Sequence, residues 1–277
     1  MIYGCAAWGF RETPLEKQLE ITKSFGLKHL ELGIANADND IPLDADKEQL
    51  DKVKELYNKY GVELYCAATG CDFTVSKEDC YANVEKVKKV IDMCDYLGMK
   101  CVRIFAGFSH VEDVVGEKWE IMIDCLNKIA EYSSNTNVTP VIETHGGVDG
   151  YDDGVMHFRS TSAEKDAMAK MASQISDKIK FVYDPANLYA VGYDPAEFYN
   201  IIKDRTEYAH FKDFAPLESG HILPAACGES DMDWKSIFEA MRGFDGPVFI
   251  EYENVDDVRE GIERSIKYLE KIEKETL

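Results

Sequence analysis

Strand-like and helix-like segments alternate along the whole 277-residue chain, and that alternation restricts the fold more than any other feature. The first apolar run, Ile2–Ala6, leads into a helical pattern with Thr13 as its expected N-cap, Pro14 at the first helical position and Gly26 as its stop. "HLELG" (His29–Gly33) is followed by a helix over 47–60, and "VELYCAA" (Val62–Ala68) by a helix from about 76 to 97. "CVRIFAG" (Cys101–Gly107), "TPVIETH" (Thr139–His145) and "IKFVYD" (Ile179–Asp184) each precede another helical stretch, the second of them through a Gly/Asp-rich loop. So do "YAHFKDF" (Tyr208–Phe214) and "PVFIEYE" (Pro247–Glu253). Repeated βα units dictate parallel strands joined by right-handed helical crossovers. Eight of them in this length predict a closed (β/α)8 TIM barrel rather than an open sheet. "CAAWGF" after the first strand has no G-x-G-x-x-G, which removes the commonest signature of a doubly wound nucleotide fold. No linker or composition shift divides the chain, so residues 1–277 read as one domain.

Composition narrows the partners. With 31 Lys and Arg against 52 Asp and Glu, the formal net charge is −21, which repels nucleic-acid phosphates. No apolar run approaches the length of a membrane span. The opening MIYGCAAWGFRE lacks a basic segment followed by an apolar one, so the chain reads as cytoplasmic. Its eight cysteines, with no C-x-x-C pair, read as reduced thiols, and Cys5, Cys66 and Cys101 as small core fillers.

The chemistry is concentrated in the last four strands. In a TIM barrel the reactive groups occupy the C-terminal ends of the strands and the loops after them. Strand five ends with Glu143 and His145, strand six with Asp184, strand seven presents His210, and strand eight ends with Glu251. An acid inside an apolar run is costly to bury unpaired. Three carboxylates and an imidazole converging on one rim therefore predict a single bound divalent cation. The oxygen-rich set favours Mn²⁺, with Mg²⁺, Co²⁺, Fe²⁺ or Zn²⁺ as alternatives. Strand period two sets His145 on the same face as Glu143, where a neutral imidazole is a credible base or a partner orienting Glu143. Lys212 shares the face of His210 and is expected to contact substrate or to form a supporting salt bridge; Trp8, with Phe10 and Phe108, is expected to wall an apolar face of the substrate or to pack in the core or rim. Glu31 and Glu253 are read as structural, as are His29, His110 and His157, and His221 as a solvated residue of a 215–228 loop.

The motifs "VIETHGG", "YDPAN", "AHFKDF", "CGESDMDW" and "VFIEYE" make the whole chain resemble the xylose-isomerase-like barrel superfamily of sugar isomerases and epimerases. The resemblance implies Glu143, Asp184, His210 and Glu251 as metal ligands, and Glu143 and Glu251 as an acid/base pair on opposite faces of a sugar. The implied reaction removes a proton beside a metal-bound carbonyl to give an enediolate. The epimerase branch usually has a substrate-binding His three residues after the strand-six Asp; this chain has Asn187 there, which is expected to take that substrate contact. The chain is also similar to the α subunits of C-glycoside-deglycosylating enzymes, in which a His after the strand-five Glu is the base on a 3-keto glycoside. That likeness implies His145 as base in a lyase and a smaller β subunit as partner, where the isomerase reading allows a homo-oligomer. A sugar-binding barrel without catalysis is the remaining alternative. The expected partner is a small sugar or keto-sugar in each case.

Overall fold

The computed structural model describes residues 1–277, and its centre is a closed parallel barrel. The strands are β1 (Ile2–Cys5), β2 (His29–Leu30), β3 (Leu32–Gly33), β4 (Cys66–Ala68), β5 (Cys101–Ile104) and β6 (Thr139–Glu143). After a hairpin of β7 (Gly147–Tyr151) and β8 (Gly154–Phe158), the barrel resumes with β9 (Lys180–Tyr183) and β10 (Thr206–Phe211). The chain then forms β11 (Asp213–Pro216) and β12 (Ile222–Ala225) before the last barrel strand, β13 (Pro247–Ile250). The sheet order β2-β1-β13-β10-β9-β6-β5-β4-β3 closes because β2 and β3 are two halves of one strand, broken at Glu31. β2 pairs with β1 and β3 pairs with β4, so eight strands complete the circle, as the alternation predicts.

The helices lie where the periodicity puts them, with their ends set by caps. Lys47–Tyr60 begins with a capping box between Asp46 and Gln49, and ends at Gly61, whose φ of 67° needs a residue without a Cβ. Lys77–Leu97 begins at Ser76 and ends at Gly98 in the same left-handed conformation. The first helix starts at Leu15, one residue later than expected, with Pro14 in the N-cap position and Thr13 making no side-chain cap. No helix is long and apolar enough to cross a membrane.

Two parts differ from the sequence reading. The segment after "VIETHGG" and the 215–228 segment are both expected to be loops, yet β7, β8, β11 and β12 form a four-stranded antiparallel sheet in the order β11-β12-β8-β7. The strand "GVDGY" carries few apolar residues and "ILPA" is short and interrupted by Pro224, so neither announces itself; β7 is held by β8, and β12 by β11 and β8. Its register places Val148 opposite His157, and Ile222 opposite Val155, on one face.

The interior follows strand parity. Cys66, Cys101, Val141, Val182, Tyr208 and Phe249 pack together inside the barrel, separate from the larger core between strands and helices. Since side chains alternate, the inward residue two positions on is Arg103 after Cys101, Glu143 after Val141 and Asp184 after Val182. Likewise His210 follows Tyr208, and Glu251 follows Phe249. An apolar layer thus supports a polar one.

Asp213, where the chain leaves the barrel for the cap, ties the two together. Its buried carboxylate accepts from the backbone N–H of Phe214 and Gly228, and from the indole of Trp234. Asp213→Ala strands those donors and is expected to cost about 2–4 kcal/mol, measured by denaturant unfolding.

Candidate metal centre and substrate cavity

Four neighbouring strands supply the cluster. Glu143 ends β6, Asp184 follows β9, His210 lies in β10 and Glu251 follows β13, so Glu143 and Glu251 stand at the two ends of the arc. All four are buried, and one ligand atom from each lies within 4.8 Å of the others. Asp184 also caps the short helix Pro185–Ala190: its Oδ1 accepts from the Asn187 N–H at 3.0 Å. The other oxygen, Asp184 Oδ2, makes no hydrogen bond and has Lys212 Nζ 3.3 Å away as an ion-pair contact, and His210 Nδ1 is buried without a hydrogen-bond partner. His210 Nδ1 lies 3.5 Å from Glu143 Oε1 and 3.8 Å from Glu251 Oε1. Buried polar atoms that point at one another without hydrogen bonds are what a cation would satisfy. Three hard oxygen donors and one imidazole are a donor set for a divalent ion. The residues fit such an ion.

The surrounding charges are arranged for the same end. Lys212 Nζ reaches Glu253 at 2.7 Å, Glu251 at 2.8 Å and Asp184 at 3.3 Å. Arg103 Nε lies 3.3 Å from Glu143 Oε2. With Glu31 and Glu253, five carboxylates face two permanent cations. Burial pushes the Asp184 carboxyl up to about 7, against the pull of Lys212. Burial would raise Glu143 too, but Arg103 and His210 hold it well below the usual carboxylate range. Despite burial, Glu31, Glu251 and Glu143 raise His210, and Asp184, Glu251 and Glu253 raise Lys212. Lys212 thus supplies positive charge within the cluster, and a cation held at His210 Nδ1 would take the place of the second proton that these acids favour on the ring.

Above the cluster lies a cavity of about 320 Å³. Its floor carries Glu143, Glu251, Glu253, Lys212 and Arg103, and one wall is built by Trp8, Phe105 and Phe108. Val148, Val155 and His157 from the cap complete the roof. The size is at the small end of ligand sites, which run to roughly 300–1,000 Å³.

The structure distributes the sequence-selected residues unequally. His145 lines the cavity with Glu143, as strand parity requires, and its ring meets Phe105 and Phe108 edge-on. Its Nδ1 is 2.5 Å from the Gly146 carbonyl, so Nδ1 carries the proton and Nε2 keeps its lone pair. Burial lowers the pKa of this imidazole, partly offset by Glu143. Trp8 and Lys212 line the cavity; Asn187 does not. Asn187 is fully buried, and its amide donates to Glu143 Oε1 and the Thr144 carbonyl. His157, read as structural, faces the cavity because the unforeseen hairpin carries it there. His221, assigned to solvent, is half-buried, stacked on Tyr151 and bonded to Asp153. Arg103 was not singled out by the sequence reading; an arginine inside the apolar run "CVRIFAG" is the signal that points to it.

The family model of the xylose isomerase-like TIM barrel matches residues 19–272. The chain belongs to that family. A search of curated protein sequences finds no match. Among solved structures, the chain is similar to the IOLI protein with a bound zinc atom, at TM-score 0.81 and 15% identity, covering 100% of this chain and 99% of that one. It is similar to the probable 3-DHS dehydratase AsbF of petrobactin synthesis from Bacillus anthracis, at TM-score 0.79, 14% identity and coverage of 98% and 99%. A third similar structure is the 3-keto-D-glucoside 4-epimerase YcjR from E. coli, at TM-score 0.71, 14% identity and coverage of 98% and 99%. At these identities the likeness is one of fold.

A cation bound at the cluster stabilises the folded chain by mass action. At a hundred times its Kd the gain is about 2.7 kcal/mol, a Tm rise of roughly 5–10 °C over chelator-treated protein. Lys212→Met leaves buried acids uncompensated and is expected to cost about 3–5 kcal/mol without metal. Thermal scans with and without Mn²⁺ should show a larger metal-dependent rise in that variant than in the wild type.

Proposed function

We propose that this chain is a divalent-metal-dependent sugar isomerase or epimerase that breaks a C–H bond next to the carbonyl of a small, uncharged keto-sugar. The observation that supports this reading most is the buried Glu143–Asp184–His210–Glu251 cluster at the floor of a cavity with one aromatic wall. Mn²⁺ is the favoured ion for three carboxylates and one imidazole. When bound, the ion supplies Lewis acidity that makes the C–H beside the carbonyl more acidic.

The remaining work falls to side chains. Glu143 and Glu251, at opposite ends of the strand arc, approach a substrate from two sides. One carboxylate removes the proton, and the other, protonated, returns one to the opposite face, which inverts the centre. Arg103 and Lys212 are the cavity's cations, and both are already paired with carboxylates. A phosphate or carboxylate on the substrate would find no free cation there, so the reading selects a neutral polyol. Trp8, Phe105 and Phe108 cover its C–H face, and the cap excludes water from the reacting carbons. The E. coli relative, named as a 3-keto-D-glucoside 4-epimerase, agrees with this chemistry.

A second reading rests on the tautomer of His145. Nε2, unprotonated and without a protein partner, is suited to take a proton from a 3-keto glycoside whose β-substituent then leaves with its bonding electrons. The two readings separate by isotope exchange.

Metal-loaded protein is incubated with a panel of ketoses and keto-glycosides in deuterated water, and C–H exchange is followed by NMR. Exchange should fall at least a hundredfold in Glu143→Gln and Glu251→Gln and after chelation. Exchange that survives chelation and both substitutions removes the proposal. His145→Ala should retain exchange on a free ketose; loss confined to the keto-glycoside would favour the lyase.

A further inference from the structure

Glu31 has no exposed surface, yet the proposed chemistry gives it nothing to do. It sits at the break between β2 and β3, in the same inward layer as Arg103 and Glu143. Its Oε1 accepts from the Tyr208 hydroxyl at 2.7 Å and lies 3.2 Å from His210 Nε2, while Oε2 accepts from the Ala7 N–H at 3.1 Å.

A carboxylate oxygen within hydrogen-bond reach of Nε2 is met by an N–H there, so the contact places a proton on Nε2. An imidazole that holds a cation keeps one N–H, and with that N–H on Nε2 the ligating nitrogen is Nδ1. Nδ1 is the atom that has no partner and faces Glu143 and Glu251. The Ala7 N–H holds the other oxygen, Oε2, from the far side, so the carboxylate is kept in place without the Tyr208 hydroxyl. We infer that Glu31 is a positioning residue: it sets the ring orientation and tautomer of His210 so that Nδ1 is presented to the cation. This inference rests on the metal reading above. A carboxylate behind a ligating histidine also raises the basicity of the ligand, and losing such a partner commonly weakens metal affinity 10–100-fold.

The test uses the full chain, stripped of metal and titrated with Mn²⁺, with free ion counted by electron paramagnetic resonance. The wild type should bind one ion. Glu31→Gln should bind it about 10–100-fold more weakly, while Tyr208→Phe, which leaves the Glu31–His210 contact in place, should stay within about threefold. Glu31→Asp keeps the charge but withdraws it by one methylene, and carries the same expectation should the Gln variant not fold. The ¹⁵N signal of His210 Nε2–H in the Zn²⁺ form gives an independent readout: it carries the shift of a hydrogen bond to a carboxylate in the wild type and loses that shift in Glu31→Gln. A wild type that binds Mn²⁺ beside a Glu31→Gln variant that binds equally, with the Nε2–H shift kept, overturns the inference and leaves the metal reading standing. Equal losses in Glu31→Gln and Tyr208→Phe also overturn it, because disturbed packing then explains both. A wild type that binds no ion defeats the metal reading and this inference with it.

Discussion

Five carboxylates gathered in one barrel mouth cannot all remain ionised unless cations stand among them. Arg103 answers Glu143, Lys212 answers Glu251, Glu253 and Asp184, and His210 lies between Glu31 and the cluster. Two permanent cations against five acids leave an excess of negative charge, and Asp184 Oδ2 and His210 Nδ1, buried without a hydrogen bond, mark where it collects. Charge balance and unsatisfied donor geometry point to the same small volume. The cavity, its aromatic wall and the cap are arranged around that point.

Strand parity converts sequence into this arrangement. Val141, Val182, Tyr208 and Phe249 fill the barrel below, and a step of two residues lifts each strand to a functional group. The four candidate ligands were legible because each is an acid or histidine at the end of an apolar run, on consecutive strands. The same step leads from Cys101 to Arg103 and from His29 to Glu31. These two were harder to see, since a buried charge that serves another buried charge leaves no signature in one strand alone. Their partners lie 40 and 179 residues away in the chain.

The cap was not legible. Its strands are four or five residues long and form two local hairpins, which the Ile222–Val155 pair joins into one sheet across more than sixty residues of chain. Local pattern is silent about such pairing. His157 was therefore set aside, and Val148 and Val155 passed unnoticed, although all three roof the cavity. Asn187 shows the converse: its place three residues after Asp184 suggested substrate, but the helical turn that Asp184 caps folds it back onto Glu143.

The fold supplies a rigid ring, the polar layer supplies a cage, and the cap supplies enclosure. The cage is the decisive claim, and diffraction can locate an ion directly. Crystals grown with Mn²⁺ and measured at its absorption edge should show one anomalous peak per chain, about 2 Å from Glu143, Asp184, His210 and Glu251. A peak elsewhere, or none while Lys212 still spans Asp184 and Glu251, would contradict the account.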